Sequence, residues 1–145
     1  MSVEDNKAAV RRFYQEVING RNPDALDELL VPDGVDHTFG SQSTEQAKQF
    51  FAMVYRAFPD LHVEVHDVVA EGDLVAVRST YTGTHQGEFL GIPATGKQAT
   101  TNGVEFFRMQ DGKQVEHWGG PDTFSFLVQL GVMPGPGTPG PGTPA

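Results

Sequence analysis

Glu105 and His117 have the side-chain types that a general acid/base couple requires. They flank Gln110-Asp111-Gly112, a strong hairpin signal, so two antiparallel strands should carry them. A two-residue Asp-Gly loop would set Glu105 opposite Trp118. A three-residue loop with a glycine bulge would set Glu105 opposite His117. The second register is favoured here, because it gathers Gly103, Glu105, Phe107, Val115, His117 and Gly119 on one face. Burial in an apolar pocket favours the uncharged form of both groups, which suits proton transfer near neutral pH. The same pair also reads as a plain cross-strand hydrogen bond. Asp122 follows Gly119-Gly120-Pro121 and fits two roles: a base or orienter for His117, and a helix cap for the segment from Thr123.

Other polar candidates are more scattered. His85 opens a glycine-rich stretch, Gly83 to Gly96, whose free backbone would let it cover a pocket and bring His85 to a ligand. Asn102 and Arg78 interrupt apolar strands and either orient a carbonyl or face solvent. His62 and His66 share the spacing of a zinc-binding helix. The alternating Leu61, Val63 and Val65 make the segment a strand, which holds them about 13 Å apart, too far for one ion. No metal is expected. Phe13, Tyr14, Phe51, Tyr55 and Phe107 fall at positions that either pack a core or line a cavity for a flat ligand.

The composition narrows the partners. Lys plus Arg is 10 and Asp plus Glu is 19, a net charge of −9, with no basic cluster for nucleic acid or an anionic membrane. There are no cysteines, so disulfides, thiolate metal sites and a Cys nucleophile are excluded. No apolar run reaches the roughly 20 residues of a membrane span. The start, Met1 to Val10, is acidic and polar, unlike a signal peptide, so a cytoplasmic protein is expected. No dinucleotide fingerprint, phosphate loop or Ser elbow is present, and no cofactor is expected.

The elements that must position these residues can be read from periodicity. Ser2 with Asp5 makes a rough capping box for a helix over Val3–Ile18, closed by Gly20. Asn22 should cap a short second helix with Pro23 at its first position and Leu26, Leu29 and Leu30 inward. Pro32-Asp33-Gly34 reads as a turn, and Val35–Phe39 as a short strand or ordered loop. A third helix starts at Ser43 or Thr44 and ends at Pro59-Asp60. Four strands follow: Leu61–Val69, Leu74–Thr82, Gln98–Met109 and Gln114–Trp118. A short helix, Thr123–Leu130, closes the domain. Helices first and an antiparallel meander after is an α+β order, with helices packed on one face of a curved sheet. One domain over 1–133 is expected, with a disordered Pro/Gly-rich tail over 134–145.

The run from His85 to Lys97, His-Gln-Gly-Glu-Phe-Leu-Gly-Ile-Pro-Ala-Thr-Gly-Lys, resembles a characteristic loop of SnoaL-like polyketide cyclases, in the nuclear transport factor 2-like superfamily. Arg108 to Trp118 resembles that family's Asp-Gly-Lys hairpin with its Glu-His-Trp ending. Asp122 with Gln129-Leu130-Gly131 resembles its C-terminal pattern. The likeness covers roughly Val3 to Gly131. It implies a cone-shaped α+β barrel with a pocket between the long helix and the concave sheet. It also implies a homo-oligomer, dimer or tetramer, packed through the outer sheet face. Its enzymes commonly cyclise or isomerise polyketide-like, hydrophobic small molecules without a cofactor. Some relatives are hydroxylase components that act on polyketide quinones with a separate reductase; others only bind. The resemblance also makes His37 a substrate contact. Ring-closing relatives often carry an Asp three residues before the position of Asp122, where this chain has Gly119. A His that they carry aligns with Glu105. The usual His/Asp pair is therefore absent, or rebuilt from Glu105, His117 and Asp122, and the departure lends weight to the hydroxylase alternative.

Overall fold

Ser2 starts the first helix with a reciprocal cap. Its hydroxyl accepts the Asp5 N–H, and the Asp5 carboxylate accepts the Ser2 N–H. In the computed structural model, which describes residues 1–38, 40–41 and 43–137, helix α1 spans Val3–Arg12 and runs on as a π-helical segment, Phe13–Asn19. The sequence predicts one regular helix here; the wide turns of its second half are the difference. Val10, Tyr14, Val17 and Ile18 are buried along it. Gly20 closes it for reasons of space, since a Cβ there would lie 2.7 Å from the Glu16 carbonyl oxygen.

The second helix is shorter than expected. A 3-10 turn, Pro23–Ala25, leads into one α-turn, α2 (Leu26–Leu29). Asn22 supplies no side-chain cap. Leu26 and Leu29 are buried, but Leu30 already begins strand β1, Leu30–Asp36. Pro32-Asp33-Gly34 lies inside that strand instead of ending it. Strand β1 runs parallel to β6 (Lys113–Pro121) and advances from Leu30 to Val35 while β6 advances only from Gln114 to Glu116. The turn-forming residues take up the excess as a bulge, and pairing resumes with Asp36 beside His117. Strand β2 is Gly40–Ser41; Phe39, the end of the predicted segment, is outside the described residues.

Ser43 caps α3 (Thr44–Ala57) with a second capping box to Gln46. The rest is the expected meander: β3 (His62–Glu71), β4 (Leu74–Thr84), β5 (Gln98–Gln110), β6 and the closing helix α4 (Thr123–Gln129). The sheet order is β2-β1-β6-β5-β4-β3, antiparallel except at β1–β6. Along β5 burial alternates strictly, with Thr101, Gly103, Glu105, Phe107 and Met109 facing inward. The helices cover this concave face and complete a cone-shaped α+β barrel. Val10, Tyr14, Ile18, Val77 and Phe107 share one core cluster, and Val17, Leu26, Leu29 and Ala47 a second; Phe13 and Phe51 pack against both. Burying one such side chain contributes about 1.5–3 kcal/mol. Pro134 to Gly137 form no helix or strand, and the remainder of the predicted tail, 138–145, is outside the described residues.

Candidate acid/base site

Glu105 points from β5 into the interior and is 4% exposed. Three donors converge on its carboxylate. The Tyr14 hydroxyl, from the π-helical segment, donates to Oε1 at 2.9 Å, and the Tyr81 hydroxyl, from β4, donates to the same oxygen. His117 Nε2, from β6, lies 2.7 Å from Oε2. The opposite ring nitrogen, Nδ1, lies 3.2 Å from Asp36 Oδ2 at the end of β1. Asp36 is fixed in turn by the Thr38 N–H, which donates to Oδ1 at 2.8 Å. A helix and four strands thus hold one line of groups: Asp36, His117, Glu105 and two phenols.

The register that brings them together is neither of the two predicted. Asp111 and Gly112 form a two-residue turn with φ of 52° and 79°, the conformation of a primed hairpin turn. Gln110 pairs with Lys113 and Met109 with Gln114, but Arg108 then pairs with Glu116. Val115 is an extra residue, a bulge in β6. Beyond it Phe107 lies opposite His117, and Glu105 opposite Gly119. Glu105, Phe107 and His117 share one inward face as predicted, but Val115 is the bulge, Gln114 pairs with inward Met109, and the partner of Glu105 is shifted by two positions from the favoured register. His117 reaches Glu105 diagonally, and its ring tilts against Phe107 at 5.1 Å.

The charges follow from the hydrogen bonds. Both nitrogens of His117 face carboxylate oxygens, and only the imidazolium donates to both. Burial opposes that charge and is the largest single influence. The bonds and charges of Asp36 and Glu105 together outweigh it and raise His117 from 6.5 to about 9. The expected neutral imidazole is therefore corrected to a cation. Burial, followed by the negative charge of Glu105, pushes the phenols of Tyr14 and Tyr81 upward, so both remain neutral donors.

The remaining predicted residues divide into two groups. Phe13, Tyr14, Phe51 and Phe107 pack edge-to-face around the line, with Phe13 5.3 Å from Tyr14, 5.8 Å from Phe51 and 5.9 Å from Phe107. The others lie elsewhere. Asp122 is an exposed cap of α4, accepting the Ser125 N–H at 3.1 Å, and Asp36 takes the orienting place beside His117. His37 stacks on Trp118 at 4.7 Å and meets Glu116 at 2.9 Å, on the outer side of β6. Asn102 is exposed on the outer face of β5, because its position is out of phase with Glu105. Tyr55 donates to the Val17 carbonyl of the π-helical segment, and burial pushes its phenol up to about 12. His85 is buried against Phe58, and its Nδ1 accepts the Thr95 N–H at 3.2 Å. Its loop is strapped to the end of α3, where the Ala57 carbonyl accepts the Gln86 and Gly87 N–H groups.

Sequence reasoning missed Asp36 and Tyr81. Tyr81 had a usable signal, since it continues the inward alternation of Val75, Val77 and Ser79. Asp36 had none, because it depends on a parallel pairing between segments remote in sequence. A cleft of about 300 Å³ lies between the first helix and β3. Tyr14 lines it and also bonds Glu105, which connects the cleft wall to the buried line. The arrangement can donate a proton from His117 and accept one at a carboxylate.

Known proteins share this arrangement of elements. The family model of SnoaL-like polyketide cyclases matches residues 8–130. Aklanonic acid methyl ester cyclase DnrD of Streptomyces peucetius is 27% identical over 127 residues, covering 84% of this chain and 88% of DnrD. The crystal structure of AclR from Streptomyces galilaeus, a candidate hydroxylase, is 35% identical with a TM-score of 0.80, covering 92% of this chain and 85% of AclR. TsrD from Streptomyces laurentii is 25% identical with a TM-score of 0.83, covering 92% of this chain and 99% of TsrD. The fold, the hairpin and the extent of the family match lead to one conclusion: the chain belongs to the SnoaL-like polyketide cyclase family.

Proposed function

We propose that the chain is an enzyme that cyclises or isomerises an aromatic polyketide-like ester by acid/base chemistry, without a cofactor. The observation that carries the reading is the Asp36–His117–Glu105 line, an imidazolium held between two carboxylates. Asp36, with side-chain exposure of 18% against 5% for Glu105, takes a proton from a carbon next to a carbonyl. The resulting enolate carbon attacks a second carbonyl of the same molecule and forms a carbon–carbon bond. The new alkoxide takes a proton from His117. The proton on Asp36 returns to His117 across their contact, so product and substrate have equal mass. The names of the cyclase relatives support an ester of the aklanonic acid kind as substrate class. The test is product mass analysis with aromatic polyketide methyl esters. His117→Ala should lower turnover by about 10²-fold or more, the scale of a general acid. Turnover unchanged in that variant overturns the reading.

A second reading, a hydroxylase component working with a separate reductase, is favoured by the likeness to AclR and by Gly119 in place of an Asp. It requires a product heavier by one oxygen, formed only with reductant and oxygen. Both readings take a second copy of this chain as partner. The exposed Val69, Val104 and Phe106 on the outer sheet face support that contact.

A further inference from the structure

Tyr81 is a long way from the carboxylate it bonds. In the β4–β5 ladder Tyr81 pairs with Thr101, Ser79 with Gly103 and Val77 with Glu105. Tyr81 therefore stands four residues along the sheet from the position opposite Glu105, about 13 Å at strand spacing. Two side chains standing off the sheet would not meet over that span. They meet only if both lie along it, and the ground between them is Gly103. A Cβ at Gly103 would sit 2.5 Å from Tyr81 Cε2 and 2.8 Å from Ser79 Oγ, closer than packed atoms allow. Gly103 has no positive φ to explain a glycine, and glycine within a strand weakens it. Its function is the space.

We propose that Tyr81 is a positioning residue of the acid/base site and that Gly103 is its seat: the bare strand lets the phenol cross β5 and place a second hydroxyl on Glu105. Tyr14 approaches the same oxygen from the helix side, so the carboxylate is clamped from two layers of the fold. The groups that face Glu105 are Tyr14, Tyr81 and His117, with Asp36 behind His117. The two phenols stabilise the negative charge most when no imidazolium is present, that is, after the His117 proton has left. Removing one phenol bond therefore makes that proton harder to lose. The apparent value belongs to the coupled line and not to His117 alone.

The consequence for catalysis rests on the acid/base reading above, but the test does not use turnover. The His117 ring is followed by NMR across pH in the wild type, Tyr81→Phe, Gly103→Ala and the double variant. Tyr81→Phe keeps the ring and removes only the hydroxyl. It should bind the His117 proton about tenfold more tightly, about one pH unit upward, as expected for the loss of one charge-assisted hydrogen bond. Gly103→Ala should move the titration in the same direction, because it lifts the ring. Added to Tyr81→Phe it should produce no further change. A His117 titration in Tyr81→Phe within 0.2 units of wild type overturns the positioning role. Full additivity of the two substitutions overturns the link between Gly103 and Tyr81. If Gly103→Ala fails to fold, Tyr81→Phe alone still decides the positioning role. A shifted titration in a protein that turns over no ester would leave the clamp standing and remove the enzymatic reading. Turnover with an unmoved titration would do the reverse.

Discussion

Replacing His117 by Gln should change how stability depends on pH, and the size can be worked from the site. In the folded chain His117 titrates at about 9 and in the unfolded chain near 6.5. Between those values the folded state holds a proton that the unfolded state has released. Stability from this group is fully present below pH 6.5 and is lost as pH rises through 9. A rise of that size corresponds to about 3 kcal/mol. At pH 7 most of it is retained, about 2.5 kcal/mol. His117 is largely buried, so solvent screening does not remove the effect. The assay is urea unfolding of both proteins at pH 6 and pH 10, fitted to two states. Lysines and tyrosines also titrate near pH 10, but they do so in both proteins. The advantage of wild type over His117→Gln should shrink by about 3 kcal/mol between the two pH values. Parallel stability curves would refute the cationic His117 and the charge assignment built on it.

Two further outcomes concern single residues, and a third concerns a pair. Gly119→Asp, which introduces the acid that the family resemblance implies for ring-closing relatives, should lower stability by about 1–3 kcal/mol and leave turnover no higher than wild type, read by thermal unfolding and turnover. Gly119 has a φ of +88°, and a Cβ there would collide with the Val104 carbonyl. Asp122→Ala should cost about 1 kcal/mol through loss of the α4 cap, with turnover within twofold of wild type. A loss of about 10²-fold would return Asp122 to the chemistry. Under the proposed self-association, light scattering should show an oligomer for wild type and a monomer for Phe106→Asp with Val104→Asp; an oligomer unchanged by the pair would place the contact elsewhere, and a monomeric wild type would overturn the self-association.

The sequence made some of this architecture legible and hid the rest for specific reasons. Ser2 and Asp122 cap their helices as read, and α3 starts at Thr44, one of the two starts expected, because such signals depend on residues three apart. The meander from β3 to β6 was legible because its turns, such as Asp111-Gly112, carry local signals. The inward face of Glu105 and His117 was read correctly, but their pairing was not. A bulge at Val115 has no residue signature, and a shift of two positions preserves the face. Asp36 could not be found, because its place beside His117 depends on a parallel pairing across most of the chain. The charge of His117 was misread for the same reason. The sequence offers Glu105 and Asp122 as partners but not Asp36, and without a carboxylate fixed on the second ring nitrogen burial looks decisive.

The bulge at Val115 bears on how this hairpin should be compared with others. In a ladder without it, the residue facing Phe107 would be the one directly before His117. The extra residue moves the histidine into the inward place without disturbing the turn. A relative whose hairpin lacks the bulge would need its histidine one position nearer the Asp-Gly turn to present the same chemistry. A one-residue gap in this segment of an alignment would then mark conserved geometry, and a gapless alignment would set an inward histidine against an outward side chain. Searches for proteins with this proton line should therefore hold the face constant and let the spacing between turn and histidine vary by one.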